Sequence, residues 1–301
     1  MTNTDLQQTQ TYFDRVLTMA IPSRDARGRV VRLGPALDRI LSAHDYPPPI
    51  RQLLAEALVV TALTGSLLKD QGSQMTIQAQ AEGSAVSLLV CDYRDGELRG
   101  YVEFDPSEAA DLGTDLSLER VFGTGYLAIT FDLPQANERY QGIVPLEGAS
   151  FAEAYERYFA QSEQVPTLIR VALDLSGDTC VAGGLLLQHL PEGEEGRERL
   201  HVRLDHPHWE HVAIMGGSVR SEELADPALS LEELVWRLFH EEDEVRIDQG
   251  PLVHRGCRCS VAHFEDVIAR FPAEERAEMK NADGTIVVDC AFCSRAFSLE
   301  D

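Results

Sequence analysis

Two tight pairs of cysteines near the C-terminus constrain this chain more than any other feature of its sequence. Cys257 and Cys259 form a Cys-x-Cys pair, and Cys290 and Cys293 form a Cys-x-x-Cys pair after a spacer of residues 260–289. Four thiolates satisfy a tetrahedral zinc ion, and a short spacing lets one turn present both sulfurs of a pair to one metal. The sequence therefore predicts one Zn²⁺ per reduced chain, in a small domain over residues 251–301 that needs its metal to fold.

The Cys-x-Cys pair also suggests a redox function. A disulfide between Cys257 and Cys259 closes a very small, strained ring, and strained disulfides are labile and often regulatory. Oxidation removes thiolate ligands, so a metal-built domain loses folding free energy on the order of 10 kcal/mol or more. The spacing leaves two hypotheses open. The tail either unfolds when its thiols are oxidised, or it contains a zinc site with a purely structural role.

Charge and composition argue against several classes of partner and location. The chain of 301 residues has a formal net charge of −24, and its cysteine-rich tail has no basic footprint, so no nucleic-acid partner is expected. Residues 1–12 lack the apolar region of a signal peptide, and the longest uncharged helical stretch, 57–68, is too short to span a bilayer. A cytoplasmic location without membrane attachment is therefore expected, because thiolates persist under reducing conditions.

The rest of the chain predicts an α+β fold, with an N-terminal core domain over residues 1–190 that contains an antiparallel sheet and packed helices. Helical spacing of apolar residues predicts a core helix from the prolines at 47–49 to about residue 68. Residues 74–104 change to a period of two, with a hairpin turn at Asp95-Gly96. Further strands are predicted at 26–33, 126–132, 140–144 and 167–173, and further helices at 35–42 and 151–159. Cys91 and Cys180 lie in apolar surroundings and are expected to be inert packing residues.

Residues 191–250 are expected to form an acidic, partly helical linker. Glycines and prolines punctuate 191–220, and Ser230 with Glu233 forms a capping box before an amphipathic helix. The apolar stripe of that helix consists of Leu231, Leu234, Val235, Leu238 and Phe239. It must dock either on the core domain or on the metal tail, and stability borrowed from a neighbour is lost when that neighbour unfolds.

Three histidines in the linker allow a competing interpretation. His206, His208 and His211 lie close to Asp205 and could form a metallohydrolase site with an open coordination position. A polar connector anchored by Trp209 is the simpler interpretation, because no further His/Asp constellation accompanies the three histidines. No catalytic residue is assigned, and an enzyme is not expected.

Four segments form recognisable motifs: Cys257-Arg258-Cys259-Ser260 and Cys290-Ala291-Phe292-Cys293 in the tail, and residues 158–167 and 182–188 in the core. In this order along the chain they resemble the bacterial redox-regulated heat-shock chaperone family, heat-shock protein 33 or the 33-kDa chaperonin. The chain departs from the family pattern at His254-Arg255-Gly256, where an aromatic residue is common, and at Ala291, where an acidic residue is common.

The resemblance implies an ATP-independent holdase that protects unfolding proteins from aggregation under oxidative stress and is inactive when reduced and zinc-bound. Oxidation would form the disulfides Cys257–Cys259 and Cys290–Cys293, release zinc, and unfold the tail and the switch linker at 191–250. The active form would be a homodimer that binds unfolded or partly folded client proteins. A constitutive zinc-stapled adaptor remains the main alternative, followed by the metallohydrolase.

Overall fold

A computed structural model describes residues 13–177, 179–190 and 206–299, and its architecture confirms the α+β class. The strands are β1 (Arg15–Ile21), β2 (Ala26–Leu33), β3 (Gln74–Ala81), β4 (Val86–Arg94), β5 (Glu97–Phe104), β6 (Gly125–Leu133), β7 (Glu138–Pro145), β8 (Thr167–Asp174), β9 (Val181–His189), β10 (Arg246–Leu252), β11 (His254–Arg255), β12 (Ile286–Asp289) and β13 (Ala296–Leu299). The helices are α1 (Pro35–Leu41), α2 (Pro48–Gly65), α3 (Pro106–Ala110), α4 (Leu118–Phe122), α5 (Phe151–Tyr158), α6 (Pro207–Gly217), α7 (Ser221–Ala225), α8 (Leu231–Phe239), α9 (Val261–Ile268) and α10 (Ala273–Met279). Short 3-10 and π-helical turns lie at Pro22–Arg24 and Phe159–Glu163.

Two sheets form the body of the protein. The first has five strands in the order β10-β1-β2-β9-β8, and all of its neighbours are antiparallel. The second has six strands in the order β11-β5-β4-β3-β6-β7 and is antiparallel except for β11, which runs parallel to β5. Strands β12 and β13 form a separate hairpin in the tail. The segment from Arg246 to Arg255 therefore supplies an edge strand to both larger sheets.

Helix α2 is the spine of the core, as its sequence predicts. Prolines occupy its first turn, where a missing N–H group costs nothing. Nearly every side chain from Leu53 to Gly65 is buried, so the helix is apolar on all sides. It shares one apolar cluster with residues from both sheets, including Val31 and Ile77. Cys91 and Cys180 are buried in this cluster, and burial raises the pKa of both thiols, which agrees with their expected role as inert packing residues.

The linker helices α6, α7 and α8 lie on the face of the five-stranded sheet opposite α2. The apolar stripe of α8, including Leu234 and Phe239, packs into a cluster with Leu17, Met19 and Leu187. Of the two docking partners that the sequence left open, the structure therefore selects the core domain. Helix α6 begins within the proline- and glycine-punctuated region and buries the anchoring residue Trp209.

Arg32 and Gly183 hold the turn between α7 and α8 against the sheet. The guanidinium of Arg32 is fully buried and donates hydrogen bonds to the backbone carbonyls of Glu223 at 3.1 Å, Leu224 at 2.9 Å and Leu229 at 2.6 Å. Burial lowers the pKa of this guanidinium to about 10. A β-carbon on Gly183 would collide with the carbonyl group of Leu224. The linker backbone thus lies directly on β9, and a buried cation satisfies its carbonyls.

None of the helices in the described ranges combines the length and the apolar character that crossing a lipid bilayer requires.

Candidate metal centre

The four tail cysteines converge on one point. Sulfur–sulfur distances are 3.2 Å between Cys257 and Cys259, 3.5 Å between Cys257 and Cys290, and 3.5 Å between Cys259 and Cys293. All four sulfurs lie within 4.8 Å of one another. A tetrahedral zinc ion with Zn–S bonds of about 2.3 Å holds its sulfurs about 3.8 Å apart. The donor set therefore fits Zn²⁺ both in chemistry and in spacing.

Local backbone structure presents the second pair of thiols. The carbonyl of Cys290 accepts hydrogen bonds from the N–H groups of Cys293 at 3.1 Å and Ser294 at 2.8 Å. Ser294 adopts a left-handed conformation with φ of 55°, which turns the chain back into β13. The first pair of thiols lies between the end of β11 and Ser260, whose hydroxyl caps α9 by accepting from the N–H of His263 at 3.2 Å.

The apolar support around the cysteines is small. Only Ile286, Cys290, Phe297 and Leu299 are buried in the tail cluster, and neither α9 nor α10 has a fully buried residue. A cluster of this size cannot offset the conformational entropy of about fifty residues. The tail therefore depends on a further source of folding free energy, and a metal ion held by the four thiolates is suited to supply it.

The thiols differ in acidity. Partial burial opposes ionisation of Cys257, but the backbone N–H of Cys259 and the neighbouring thiols outweigh it and lower the pKa of the Cys257 thiol to about 7. Burial, together with hydrogen bonds to the ionised partner, raises the pKa of the Cys259 and Cys290 thiols. Cys257 is therefore converted to the reactive thiolate more readily than Cys259 or Cys290, and it is only partly covered from solvent.

Arg258, between the cysteines of the first pair, ties the centre to the six-stranded sheet. Its guanidinium donates to the carboxylate of Asp92 at 2.6 Å and to that of Glu97 at 3.3 Å. Asp92 is buried and also accepts from Arg99 at 2.7 Å. One carboxylate on β4 is thus shared by an arginine of the core and an arginine of the tail.

The second cysteine pair also contacts the core through its intervening residues. The Phe292 ring meets Tyr101 edge-on, with ring centres 4.9 Å apart, and the Arg99 guanidinium lies 3.9 Å above the Phe292 ring. The imidazole of His44 bonds to the Ala291 carbonyl at 2.8 Å and to the Ser294 hydroxyl at 2.9 Å.

Sequence reasoning missed the core half of this contact. His44, Asp92, Arg99 and Tyr101 lie far from the cysteines along the chain, and no local pattern distinguishes them from ordinary surface residues. The one signal available was the strand register, which puts Asp92 on the face of β4 opposite to that of Cys91 and directly beside Arg99 of β5.

The linker histidines take separate roles. The Nδ1 atom of His206 accepts the N–H of His208 at 3.3 Å at the start of α6. His211 pairs with Glu242 at 2.7 Å, and Glu242 also accepts from Arg24 at 2.9 Å. Within residues 13–177, 179–190 and 206–299, the four cysteines are the one group of three or more potential ligands that converges. The structure therefore does not support the metallohydrolase interpretation, and Asp205 lies outside the described residues.

Known proteins resemble this chain along most of its length. A family model described as Hsp33 protein matches residues 14–300. The 33 kDa chaperonin of Caulobacter vibrioides is 40% identical over 295 residues, 95% of each chain. The 33 kDa chaperonin of Serratia proteamaculans is 35% identical over 271 residues, 90% of this chain and 87% of the relative. The crystal structure of the 33 kDa chaperonin (heat shock protein 33 homolog) from Thermotoga maritima matches with a TM-score of 0.75, covers 95% of each chain at 19% identity, and so supports the fold alone.

Proposed function

The chain belongs to the Hsp33 family of chaperones, and from this membership we propose that it is a redox-regulated, ATP-independent holdase that protects unfolding proteins under oxidative stress. We place its action in the cytoplasm, without enzymatic catalysis. Three functional parts are proposed: a core domain for client binding and dimerisation at 1–190, a switch linker at 191–250 and a redox-sensing zinc domain at 251–301. The observation that carries the proposal is the convergence of four thiols in a tail that docks on the core through Arg258 and Phe292.

We assign Cys257, Cys259, Cys290 and Cys293 as the ligands of one zinc ion per reduced chain. Their spacing and thiol chemistry support this ligand set. A bound ion supplies folding free energy on the order of 10 kcal/mol. The small cluster around Ile286 and Phe297 needs such a contribution, so the reduced tail stays folded and docked.

Oxidation is proposed to form the disulfides Cys257–Cys259 and Cys290–Cys293. In each pair, two thiolates lose two electrons and form one S–S bond, and one hydrogen peroxide molecule takes up these electrons with two protons from solvent and becomes two water molecules. Cys257 is proposed to start the reaction, because its thiol has a lower pKa than the thiols of Cys259 and Cys290 and is only partly covered from solvent. Sulfurs held in disulfides no longer act as thiolate ligands, so the tail loses its main source of stability.

Unfolding of the tail is proposed to destabilise the linker. The tail contacts on β4 and β5 are lost first, and strands β10 and β11, which lead into the tail, lose their anchor. Helices α6 to α8 then hold their apolar stripes on the five-stranded sheet with less support. Their release uncovers residues such as Leu17, Met19, Leu185 and Leu187, which would bind client proteins and pair two chains into the oxidised homodimer.

Light scattering from a chemically unfolded client enzyme diluted into buffer tests this function. The peroxide-treated protein should suppress aggregation, the reduced zinc-loaded protein should not, and a dithiol reductant should reverse the effect. Equal suppression in both states would refute redox regulation and favour a constitutive zinc-stapled protein. Replacing Cys290 and Cys293 with serine should abolish stoichiometric zinc binding, whereas Cys180→Ser serves as the matched control that retains it.

A further inference from the structure

We propose that the outer edge of strand β1 is a binding site for extended segments of unfolding proteins, and that β10 occupies this edge in the resting protein. The site rests on the proposed redox function, because β10 must leave before the edge opens. Client chains would bind there by adding a strand to the five-stranded sheet, through their backbones rather than through particular side chains.

Strand β1 has the properties of a template for strand addition. It pairs with β2 on one side and with β10 on the other, where the register runs from Leu17 opposite Gln249 to Ala20 opposite Arg246. Residues 16–21 carry no charge, and most of their apolar side chains are buried. Without β10, this strand would present a row of unpaired N–H and C=O groups next to an apolar face. Such edges recruit other extended chains strongly.

Strand β10 is a weak occupant of that edge. It contains Gly250 and Pro251, and the register is irregular where these residues face β1. None of its seven side chains is buried. Backbone pairing, partial packing of Ile247 on the apolar cluster and a few polar contacts hold it. One of the polar contacts is the Thr18 hydroxyl, which donates to the Asp248 carbonyl at 3.2 Å. A strand with a proline, a glycine and no fully buried side chain pairs weakly with its neighbour and is open to replacement.

The position of β10 in the chain couples this edge to the metal centre. Four residues separate Leu252 from Cys257, and they are held by main-chain contacts to the core. The Val253 N–H donates to the Asp14 carbonyl at 2.6 Å, and the Gly256 N–H donates to the Leu98 carbonyl at 3.0 Å. Loss of tail structure removes the anchor at this end, so β10 becomes the part of the five-stranded sheet most exposed to replacement.

The chemistry of the edge selects unfolding proteins. A folded protein has its strand backbones paired, whereas an unfolding chain offers free N–H and C=O groups in extended segments. Most side chains of β10 face solvent, so the edge constrains side-chain identity chiefly at two positions. A β-carbon at Gly250 would meet the Val16 carbonyl oxygen, and Ile247 packs partly on the apolar cluster of Leu17 and Met19, so a small residue and an apolar residue are favoured there.

A peptide of residues 245–254, labelled with a fluorophore, is the probe, because it has the sequence that the edge already accommodates. Its fluorescence anisotropy is measured with the full-length protein in the reduced zinc-loaded state and in the oxidised state. We expect binding to the oxidised protein, little binding to the reduced protein, and competition between unlabelled peptide and an unfolded client enzyme.

Backbone methylation of the probe separates strand pairing from side-chain binding. One variant is N-methylated at Arg246 and Asp248, and the other at Ile247 and Gln249. In an antiparallel edge strand, alternate N–H groups face the neighbouring strand and the others face solvent. The two variants have identical side chains and equal stiffening, so only one of them should lose binding, by at least tenfold.

Each other outcome overturns the proposal. Equal loss or equal retention of binding in the two methylated peptides would mean that strand pairing is not used. An oxidised protein that suppresses client aggregation but excludes the peptide would retain the proposed function and refute the β1 edge as its site. An oxidised dimer that excludes the peptide would assign the edge to a second copy of the chain. An oxidised protein that does not suppress aggregation would refute the proposed function and this site together.

Discussion

Asp92 on core strand β4 and Arg258 between the first two cysteines form a 2.6 Å ion pair that joins the metal centre to the six-stranded sheet. The Asp92 side chain is 3% exposed, and its other carboxylate oxygen accepts from Arg99 at 2.7 Å. A desolvated carboxylate between two guanidinium groups is strongly oriented. The pair therefore sets how firmly the tail is held before any thiol reacts.

Arg258→Ala should make the tail more sensitive to oxidant. Zinc should still bind stoichiometrically in the reduced protein, because all four cysteines remain. Loss of the ion pair and of the adjoining contact with Glu97 should weaken docking by about 1–2 kcal/mol, and the rate of peroxide-induced zinc release should rise about five- to thirtyfold. A chromogenic zinc chelator follows the release. Arg270→Ala removes an exposed arginine of the same tail and should leave the rate unchanged, and equal rates in all three proteins would contradict a holding role for Arg258.

Substitutions at Gly183 and Gly184 should affect linker docking and core stability separately. A β-carbon added at each residue would point to the opposite side of β9 from the other. A β-carbon on Gly183 meets the Leu224 backbone of the linker, whereas one on Gly184 meets Val59 and Leu63 of α2. Gly183→Ala should displace the linker and increase binding of a hydrophobic dye to the reduced protein. Gly184→Ala should instead destabilise the core by about 1–3 kcal/mol. Thermal melts and dye binding are measured on both variants. Equal changes in melting temperature and in dye binding for Gly183→Ala and Gly184→Ala would contradict this assignment.

Arg32→Met should release the linker without oxidation. The substitution keeps an apolar stem in the buried site but leaves the carbonyls of Glu223, Leu224 and Leu229 without their donor. An unsatisfied buried polar group costs about 1–3 kcal/mol. Amide hydrogen exchange in α6 to α8 should accelerate at least tenfold, while exchange in α2 stays slow. Arg29→Met, on the same strand, is the control, since the Arg29 guanidinium bonds only within its own strand. Unchanged exchange in the Arg32 variant would show that the apolar stripes hold the linker alone.

Ionisation of Glu242 should make the stability of the linker depend on pH. Burial opposes its ionisation, but hydrogen bonds from Arg24 and His211 outweigh it and hold the pKa of the Glu242 carboxyl below its ordinary value. The carboxylate therefore stabilises the folded state above the unfolded-state pKa of about 4.3, and this contribution disappears as pH falls through the lower folded-state pKa. Glu242→Gln should cost about 2 kcal/mol at pH 7 and flatten the loss of stability between pH 5 and pH 3. Urea unfolding across that range measures both effects, and parallel curves for the two proteins would contradict this role.

Local patterns in the sequence predict many of the helices and strands of this protein. The features that they miss depend on pairing between residues far apart in the sequence. Helix α2 and the β3–β5 meander have strong periodicity and clear turn residues. The positive φ angles of 50° at Asp95 and 87° at Gly96 confirm the predicted hairpin turn. The cysteine spacing likewise predicts the converged thiols.

Strands β1 and β10 carry no comparable signal. Asp248, Gly250 and Pro251 are poor strand formers, and the pairing of β10 with β1 joins residues more than two hundred positions apart. The docking of Arg258 and Phe292 on the core is equally non-local. The sequence therefore predicts the four thiols that converge but not the surface on which they rest.

The order of β10 and β11 along the chain determines which of these two edge strands leaves its sheet first when the tail unfolds. Main-chain bonds at Gly256 and His254 lie nearest to the tail, the bond at Val253 comes next, and those of β10 towards Arg246 lie farthest from it. Hydrogen bonds at the end next to the unfolded tail can break one after another. The strand therefore does not have to lose all of its bonds in a single step. Each step costs about 1 kcal/mol, which thermal motion supplies readily. Strand β11 is therefore expected to leave the six-stranded sheet before β10 leaves the five-stranded sheet. The extent of strand release should then increase gradually with the extent of oxidation.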